Sequence, residues 1–333
     1  MKKILILGCD GYIGEHLVQK LTTERLGLSG FDLKNTKESP DLDAFYLGNI
    51  NDVGVLERCI IDVNPEIIID LAANAEVTPE STISDYEVNF CSPTHIYNIV
   101  QNNPTLALNR IIFTSSQYVI GPSHSGDEKL GYAPHTVYGV SKVILEQKVL
   151  ELHAAFADEN IDFFIVRPTN VWGGRHPKYS GAWETLLKRS LVVVPSKKVV
   201  KSYCHISTLC CLYEKMIFVE SGNLALEERI VYGTDLPMTQ IDWIKMQVAG
   251  LNKCGCKAGF FRAPVWVLYS LSFIISIIAG VFGANNPLPR SRVHSMTFSY
   301  LVSLKAPEFL SYNRNAEELQ PEVFADIDNR TRG

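Results

Sequence analysis

The chain has no excess of basic residues. It carries 31 Lys and Arg against 36 Asp and Glu, a net charge of −5. That argues against a nucleic-acid partner, which would need a basic face to neutralise phosphates. No internal repeat and no low-complexity tract interrupts the sequence, which excludes a solenoid array. Cysteine is sparse: eight in 333 residues, at positions 9, 59, 91, 204, 210, 211, 254 and 256. The spacing is not that of a small secreted disulfide scaffold. Cys254-Gly255-Cys256 and Cys210-Cys211 are the close pairs, and no further pair or His cluster stands beside them at zinc spacing, so no metal is expected. The cysteines read as small core hydrophobes. No secretory leader is expected either. Ile4-Leu5-Ile6-Leu7 after Met1-Lys2-Lys3 is too short for one, and Asp10 and Glu15 follow at once. A cytoplasmic location is expected.

What is present is a globular mixture, 46% hydrophobic and 20% charged, able to bury a sizeable core. Residues 3–7 are apolar without polar alternation, as in a strand buried on both faces. Helical spacing returns from Gly14 to Thr22 (Leu17, Val18, Leu21). Strands are expected at Leu26–Phe31, Glu66–Leu71, Arg110–Ser115 and Asp162–Arg167. Helices are expected at Val53–Val63, Ser92–Gln101 and Tyr138–Glu159. Strands alternating with helices predict an α/β fold with a doubly wound parallel sheet, the Rossmann arrangement. After about residue 170 the regularity fades, apart from one return to the sheet near Ile230–Tyr232. The expected organisation is a nucleotide-binding domain over 1–170, with sheet residues again near 200–235, and a smaller mixed C-terminal lobe over 171–325. The tail from Ala325 is polar and reads as loose.

The first strand ends in Gly8-Cys9-Asp10-Gly11-Tyr12-Ile13-Gly14. The three glycines give a tight turn, a close backbone approach to a pyrophosphate and close packing of helix on strand. The backbone from Gly11 through Tyr12, Ile13 and Gly14 then presents a helix N-terminus to the phosphates. Asp32 ends the next strand, where it can accept hydrogen bonds from both ribose hydroxyls and would repel a 2′-phosphate. Together these predict NAD rather than NADP.

Two later features fit one chemistry. Phe113-Thr114-Ser115-Ser116 ends a strand at the carboxyl edge, where ligands bind such sheets. Tyr138 and Lys142 stand four residues apart on one helix face. A lysine ammonium there is expected to lower the tyrosine pKa from about 10 toward neutrality, making a general base.

These residues resemble the extended short-chain dehydrogenases/reductases, in their NAD-dependent nucleotide-sugar epimerase/dehydratase branch. Gly8, Gly11 and Gly14 fit the family's glycine motif, and Asp32 its ribose-binding acid. Gly48-Asn49-Ile50-Asn51-Asp52 resembles its adenine-contacting segment. Asp70-Leu71-Ala72-Ala73 resembles its "H-L-A-A" strand end, and Asn89 its helix-kink asparagine. Phe113 to Gly121 resembles "F-S-S-S-x-x-V-Y-G", which implies Ser116 as the catalytic hydroxyl beside Tyr138 and Lys142. Arg167-Pro168-Thr169-Asn170-Val171-Trp172-Gly173 resembles "R-Y-F-N-V-Y-G", whose Asn meets the substrate diphosphate. Lys201 to Ile206 resembles "R-D-F-V-H-V", and Asn315 to Pro321 the family's closing motif. Thr208 departs from the usual Asp, and Asp70 from the usual His.

The resemblance implies cofactor contacts from Asn49, Ile50, Leu71, Ala72, Ala73, Asn89 and Pro168, as well as from the turn and the catalytic pair. It implies a homodimer, and a nucleotide-diphosphate sugar (UDP-, GDP- or dTDP-linked) held by Ser116, Gln117 and Asn170. Arg175 and Lys201 are cationic candidates for the diphosphate. Dehydratases of the family place an Asp-Glu pair directly after the catalytic hydroxyl. Here Gln117-Tyr118 follows Ser116, which favours an epimerase over a dehydratase. Trp172 to Pro177, Trp183 and Ser202-Tyr203 resemble a branch found among surface-polysaccharide biosynthesis enzymes. The alternatives are an NAD(H)-dependent dehydrogenase, reductase or dehydratase of a nucleotide sugar, and a 3β-hydroxysteroid-type dehydrogenase of a sterol or lipid.

Val265–Phe282 is an uncharged apolar run of 18 residues. The leading expectation is a helix buried against the C-terminal lobe. A helix lying in a membrane interface or spanning the bilayer is the alternative.

Overall fold

Ile4, Leu5, Ile6 and Leu7 are completely buried, as are Ile68 and Ile69, Ile111 and Ile112, and Phe164 and Ile165. Such runs suit the middle of a sheet covered on both faces, and they form its central strands. The computed structural model describes the chain except residues 36–40, 78–79, 123–130, 178–180, 221–223, 283–285, 287, 289, 306–309, 311 and 333.

In chain order the elements begin with β1 (Lys2–Leu7), α1 (Tyr12–Leu21), β2 (Leu26–Asp32), β3 (Ala44–Leu47), α2 (Val53–Val63) and β4 (Ile67–Asp70). Next come α3 (Ser92–Asn102), β5 (Arg110–Thr114), α4 (Val137–Glu151), α5 (His153–Asp158), β6 (Asp162–Pro168), β7 (Asn170–Trp172), α6 (Ala182–Lys188) and β8 (Val192–Pro195). Then follow β9 (Val200–Lys201), β10 (Tyr203–His205), α7 (Ile206–Phe218), β11 (Ile230–Gly233), β12 (Met238–Thr239) and α8 (Gln240–Lys253). The last are β13 (Phe260–Ala263), α9 (Val265–Phe282), α10 (Arg290–Thr297) and α11 (Ala316–Arg332).

The main sheet has the order β11-β6-β5-β4-β1-β2-β3. Neighbours run parallel, with Leu7 opposite Phe31 and Asp70, and Asp70 opposite Phe113. Strand order reverses between β1 and β4, and the carboxyl ends there form the crevice where doubly wound sheets bind ligands. The expected doubly wound fold is present.

Two compact units share the chain. The first comprises Met1–Val171, Ile206–Thr234 and Val302–Tyr312, and the second Trp172–His205, Asp235–Leu301 and Asn313–Gly333. The first unit's core packs Leu5, Phe31, Leu56, Ile96, Phe113 and Phe156 among others. The second has its own core around Trp172, Trp243, Leu251 and Leu319.

Three expectations need correction. The helix expected over Tyr138–Glu159 breaks at Leu152 into α4 and α5, where the bend buries Phe156 against Phe113 and Tyr97. The tail expected to be loose from Ala325 is the second half of α11. Leu319, Val323 and Ile327 are buried at four-residue spacing, so the apolar stripe runs on through the polar composition. The helix expected to be buried, α9, is largely exposed: Trp266 at 71%, Phe273 at 68% and Ile274 at 53%. Its inward face is narrow, formed by Leu268, Ser272 and Ala279. The side chain of Val281, in the same run, lies outside the described residues. Among the described residues no helix is long and apolar enough to cross a membrane.

Candidate active site

Gly8 directly follows β1 in a left-handed conformation, φ +82°, and a Cβ there would stand 2.8 Å from the backbone nitrogen of Ala72. Only glycine fits that position without strain. A Cβ on Gly14 would lie 2.3 Å from the Gly8 carbonyl oxygen, so that glycine lets α1 pack against the turn. No side chain caps the N-terminus of α1 at Gly11. Its first N–H groups and its dipole favour an anion there. Asp32 stands at the end of the neighbouring strand. Its Oδ2 accepts from the Asp10 nitrogen at 2.9 Å and its Oδ1 from the Leu33 nitrogen at 2.7 Å, which fixes the carboxylate and leaves lone pairs for ribose hydroxyls. A turn that only glycine fits, an uncapped helix end and a fixed carboxylate together fit a dinucleotide.

The other expected cofactor residues divide into several places. Leu71, Ala72 and Ala73 follow β4 directly, with the Leu71 nitrogen donating to the Leu7 carbonyl at 2.9 Å. Asn49 is exposed and Ile50 buried just before α2. Pro168 ends β6 opposite Gly233 of β11. Asn89 is buried with its amide committed to the protein. It donates to the Asn74 carbonyl at 3.0 Å and Ser141 Oγ at 2.9 Å, and it accepts from the Asn74 nitrogen at 2.7 Å. It braces the segment after β4 against α4.

Ser116, Tyr138 and Lys142 come together in the first unit. Ser116 lies just past β5, and its side chain hydrogen-bonds Tyr138. Thr136 caps α4, its hydroxyl accepting from the Gly139 nitrogen at 3.0 Å, which sets where the helix begins and so where Tyr138 projects. Tyr86 and Tyr118 pack their rings edge-on to Tyr138 at 5.9 Å each.

The expected depression of the Tyr138 pKa is not found. Burial pushes the phenol up to about 12, against the opposing bond from Ser116. Lys142 donates instead to the Thr114 carbonyl at 2.8 Å. Burial lowers its own pKa to about 8, with Asp70 and Glu146 opposing. Asp70 is itself buried, which pushes its pKa up, and it accepts from Ser92 Oγ at 2.5 Å.

A second buried group was not anticipated. Tyr138, Lys142 and Glu146 repeat at four-residue spacing, so the same helix face that carries the catalytic candidates also carries Glu146 inward. Glu146 pairs with Arg167 of β6, and Tyr132 and Ser115 donate to it at 3.0 and 2.5 Å. The helical spacing was the signal that could have found it.

Of the remaining candidates, Gln117 is buried beside Ser116, and Asn170 opens β7. Arg175 and Lys201 belong to the second unit. Arg175 is exposed. The Lys201 ammonium donates to the Ser295 carbonyl at 2.9 Å, and burial lowers its pKa to about 8. Among the described residues no group of His, Cys, Asp or Glu could hold a metal.

Residues 4–216 match the NAD dependent epimerase/dehydratase family. The chain belongs to that family. It is the extended short-chain dehydrogenase/reductase branch expected from the motifs, and NAD is the cofactor. The chain is 26% identical to the human sterol-4-alpha-carboxylate 3-dehydrogenase, decarboxylating, over 53% of this chain and 46% of that protein. It is 27% identical to the UDP-glucose 4-epimerase of Vibrio cholerae, over 52% of each chain. The match thus spans about half the length of these curated relatives. The UDP-glucose 4-epimerase of Thermotoga maritima, solved with UDP-glucose, shares the fold at a TM-score of 0.71 and 17% identity, over 99% of both chains.

Proposed function

We propose that the chain is an NAD-dependent epimerase of a nucleotide-diphosphate sugar, acting at one sugar hydroxyl. The observation that carries this reading is the composition of the first unit's reactive edge. Ser116 and Tyr138 are hydrogen-bonded, Lys142 lies one helical turn on, and Gln117-Tyr118 occupies the place of the carboxylates a dehydratase needs. Such an edge can move one proton at one oxygen, and the two positions directly after Ser116 hold no carboxylate to drive elimination.

Each residue then has a defined task. Ser116 Oγ holds the sugar oxygen in place. Tyr138 Oη exchanges the proton of that oxygen, and Lys142 is the cation on the same helix face. NAD, when bound, supplies a reversible hydride acceptor for the sugar carbon. Gly8, Gly11, Gly14 and Asp32 bind it, and Asn170 is the first candidate for the substrate diphosphate. Arg175 and Lys201 are assigned to the diphosphate by their motifs alone. A cytoplasmic homodimer, and a place in surface-polysaccharide synthesis, belong to the same reading.

The direct test is incubation with UDP-sugars and no added cofactor. Sugar inversion without net change at the nicotinamide absorbance band is the expected result. Stoichiometric accumulation of NADH would sink it and favour a net dehydrogenase. Similarity to the sterol dehydrogenases, together with the exposed apolar α9, makes a lipid alcohol the substrate to try in that case.

A further inference from the structure

We propose that α9 lies in the surface of an anionic membrane and attaches the second unit there. Two independent observations meet at this helix. The first is its exposed face. Trp266, Ser270, Phe273 and Ile277 follow one another at three- and four-residue spacing, and Ile274 flanks them. Trp266, Phe273, Ile274 and Ile277 are each more than half exposed. Phe261, just before the helix, is 63% exposed. The opposite side, Leu268, Ser272 and Ala279, faces the protein. The helix is therefore held by one side and offers apolar side chains on the other.

The second observation is charge. Residues 243–307 contain no Asp or Glu, but they carry Lys245, Lys253, Lys257, Arg262, Arg290, Arg292 and Lys305. This stretch is formally +7, so the rest of the chain, at a total of −5, is −12. The cations bracket α9, with Arg262 before it and Arg290 and Arg292 after it, all three exposed. A groove of about 520 Å³ along the helix is lined by Tyr269, Phe273, Ile274 and Arg290 together with three serines, and the Arg290 guanidinium lies 5.8 Å from the Tyr269 ring.

An apolar stripe edged by cations, with Trp and Tyr beside them, is the make-up of a helix at a lipid interface. The apolar side chains enter the acyl boundary while the arginines meet headgroup phosphates. Leu268, Ser272 and Ala279 bury one side of the helix against the protein along its length, so it lies on the membrane and does not cross it. A second copy of the chain is a poorer occupant. A two-fold contact sets the same patch against itself, bringing arginines against arginines with no acid in the stretch to pair them.

The test is flotation of the full chain with vesicles of phosphatidylcholine alone and of phosphatidylcholine mixed with phosphatidylglycerol. Binding is expected to the mixed vesicles and to weaken as salt is raised. Arg262→Glu with Arg290→Glu should weaken it roughly tenfold or more, at about 1 kcal/mol for each cation near the surface. Phe273→Glu with Ile277→Glu should abolish it while leaving the melting temperature unchanged, because both side chains are exposed. The proposal is overturned by failure to bind mixed vesicles, by equal binding to both compositions, or by undiminished binding of the Phe273/Ile277 variant. It is also overturned if that variant instead turns a self-associated wild type into a monomer.

Discussion

Glu146 and Arg167 form a two-pronged ion pair with neither side chain exposed: Nε to Oε1 at 2.8 Å and Nη2 to Oε2 at 2.6 Å. The pair ties α4 to β6 one helical turn beyond Lys142. Both charges are further bonded, Glu146 by Ser115 and Tyr132, and Arg167 by the Tyr232 hydroxyl at 2.9 Å. Desolvating two charges is repaid only when such partners are complete.

Removing one partner should therefore be severe. Arg167→Met leaves a carboxylate buried and unpaired, and is expected to cost about 3–5 kcal/mol. The double variant Glu146→Leu, Arg167→Met removes both charges and should recover a large part of that loss. Urea denaturation of the three proteins decides it. A double variant no more stable than Arg167→Met would contradict the argument.

Tyr138→Phe removes the one hydroxyl proposed to exchange the substrate proton, and leaves the ring packed between Tyr86 and Tyr118. Turnover should fall by about 10²–10⁴-fold, with NAD affinity and melting temperature near wild type. Ser116→Ala should lose less, because the proton acceptor remains. Measuring kcat beside NAD titration separates the chemical role from a binding role. Full activity in the phenylalanine variant would remove Tyr138 from the mechanism.

Much of the first unit was legible because its signals are local. A parallel strand must be apolar on both faces, so β1, β4, β5 and β6 announce themselves as runs such as Ile4–Leu7 and Ile67–Ile69. Glycine at the end of β1 marks a turn, and Asp32 marks the strand beside it. What escaped was set by distant contacts. The edge strand β3, Ala-Phe-Tyr-Leu, is half exposed and carries no two-sided apolar run. The helix break at Leu152 answers to the pocket that takes Phe156. The high Tyr138 pKa follows from how deeply the fold buries the phenol, and i, i+4 spacing to Lys142 cannot report that. In the second unit, composition misled at both apolar α9 and polar α11. Exposure depends on which face a neighbour covers, and the sequence of one helix does not contain its neighbour.

The glycine turn gives a prediction of a different kind. A methyl group on Gly14 would sit 2.3 Å from the Gly8 carbonyl and 2.7 Å from the Cys9 backbone. Backbone on both sides leaves no flexible side chain to yield, so α1 must move from the turn. Gly14→Ala should lose most NAD affinity, seen as loss of the NAD-dependent rise in melting temperature, while far-ultraviolet circular dichroism stays close to wild type. Asp32→Gly should relax the preference against a 2′-phosphate and raise the affinity for NADP relative to NAD. An unchanged preference would show that Asp32 does not contact the ribose.

In the second unit, His205 joins β10 to α11 through two carboxylates, Asp326 at 3.2 Å and Glu322 at 3.5 Å. Its backbone nitrogen also donates to Asp235 at 2.6 Å, and Arg314 forms ion pairs with Asp235 and Glu322. Burial opposes a charged ring, but the bonds to Asp326 and Glu322 outweigh it and hold His205 above its ordinary 6.5. Burial likewise opposes the Asp326 carboxylate, and the bonds from His205 and the Gly174 nitrogen hold its pKa below the ordinary 3.8. The signs then follow from linkage. The raised histidine contributes stability in full below pH 6.5 and loses it as pH climbs through the folded value. The depressed aspartate contributes above 3.8 and loses it as pH falls through the folded value. The contact is strongest where the histidine is charged and the aspartate ionised, between those two ordinary values. The melting temperature of the wild type should accordingly decline as pH rises from 6 to 8, as expected for a His⁺–carboxylate pair, and His205→Gln should flatten that decline. An unchanged slope in the variant would assign the pH dependence to other groups.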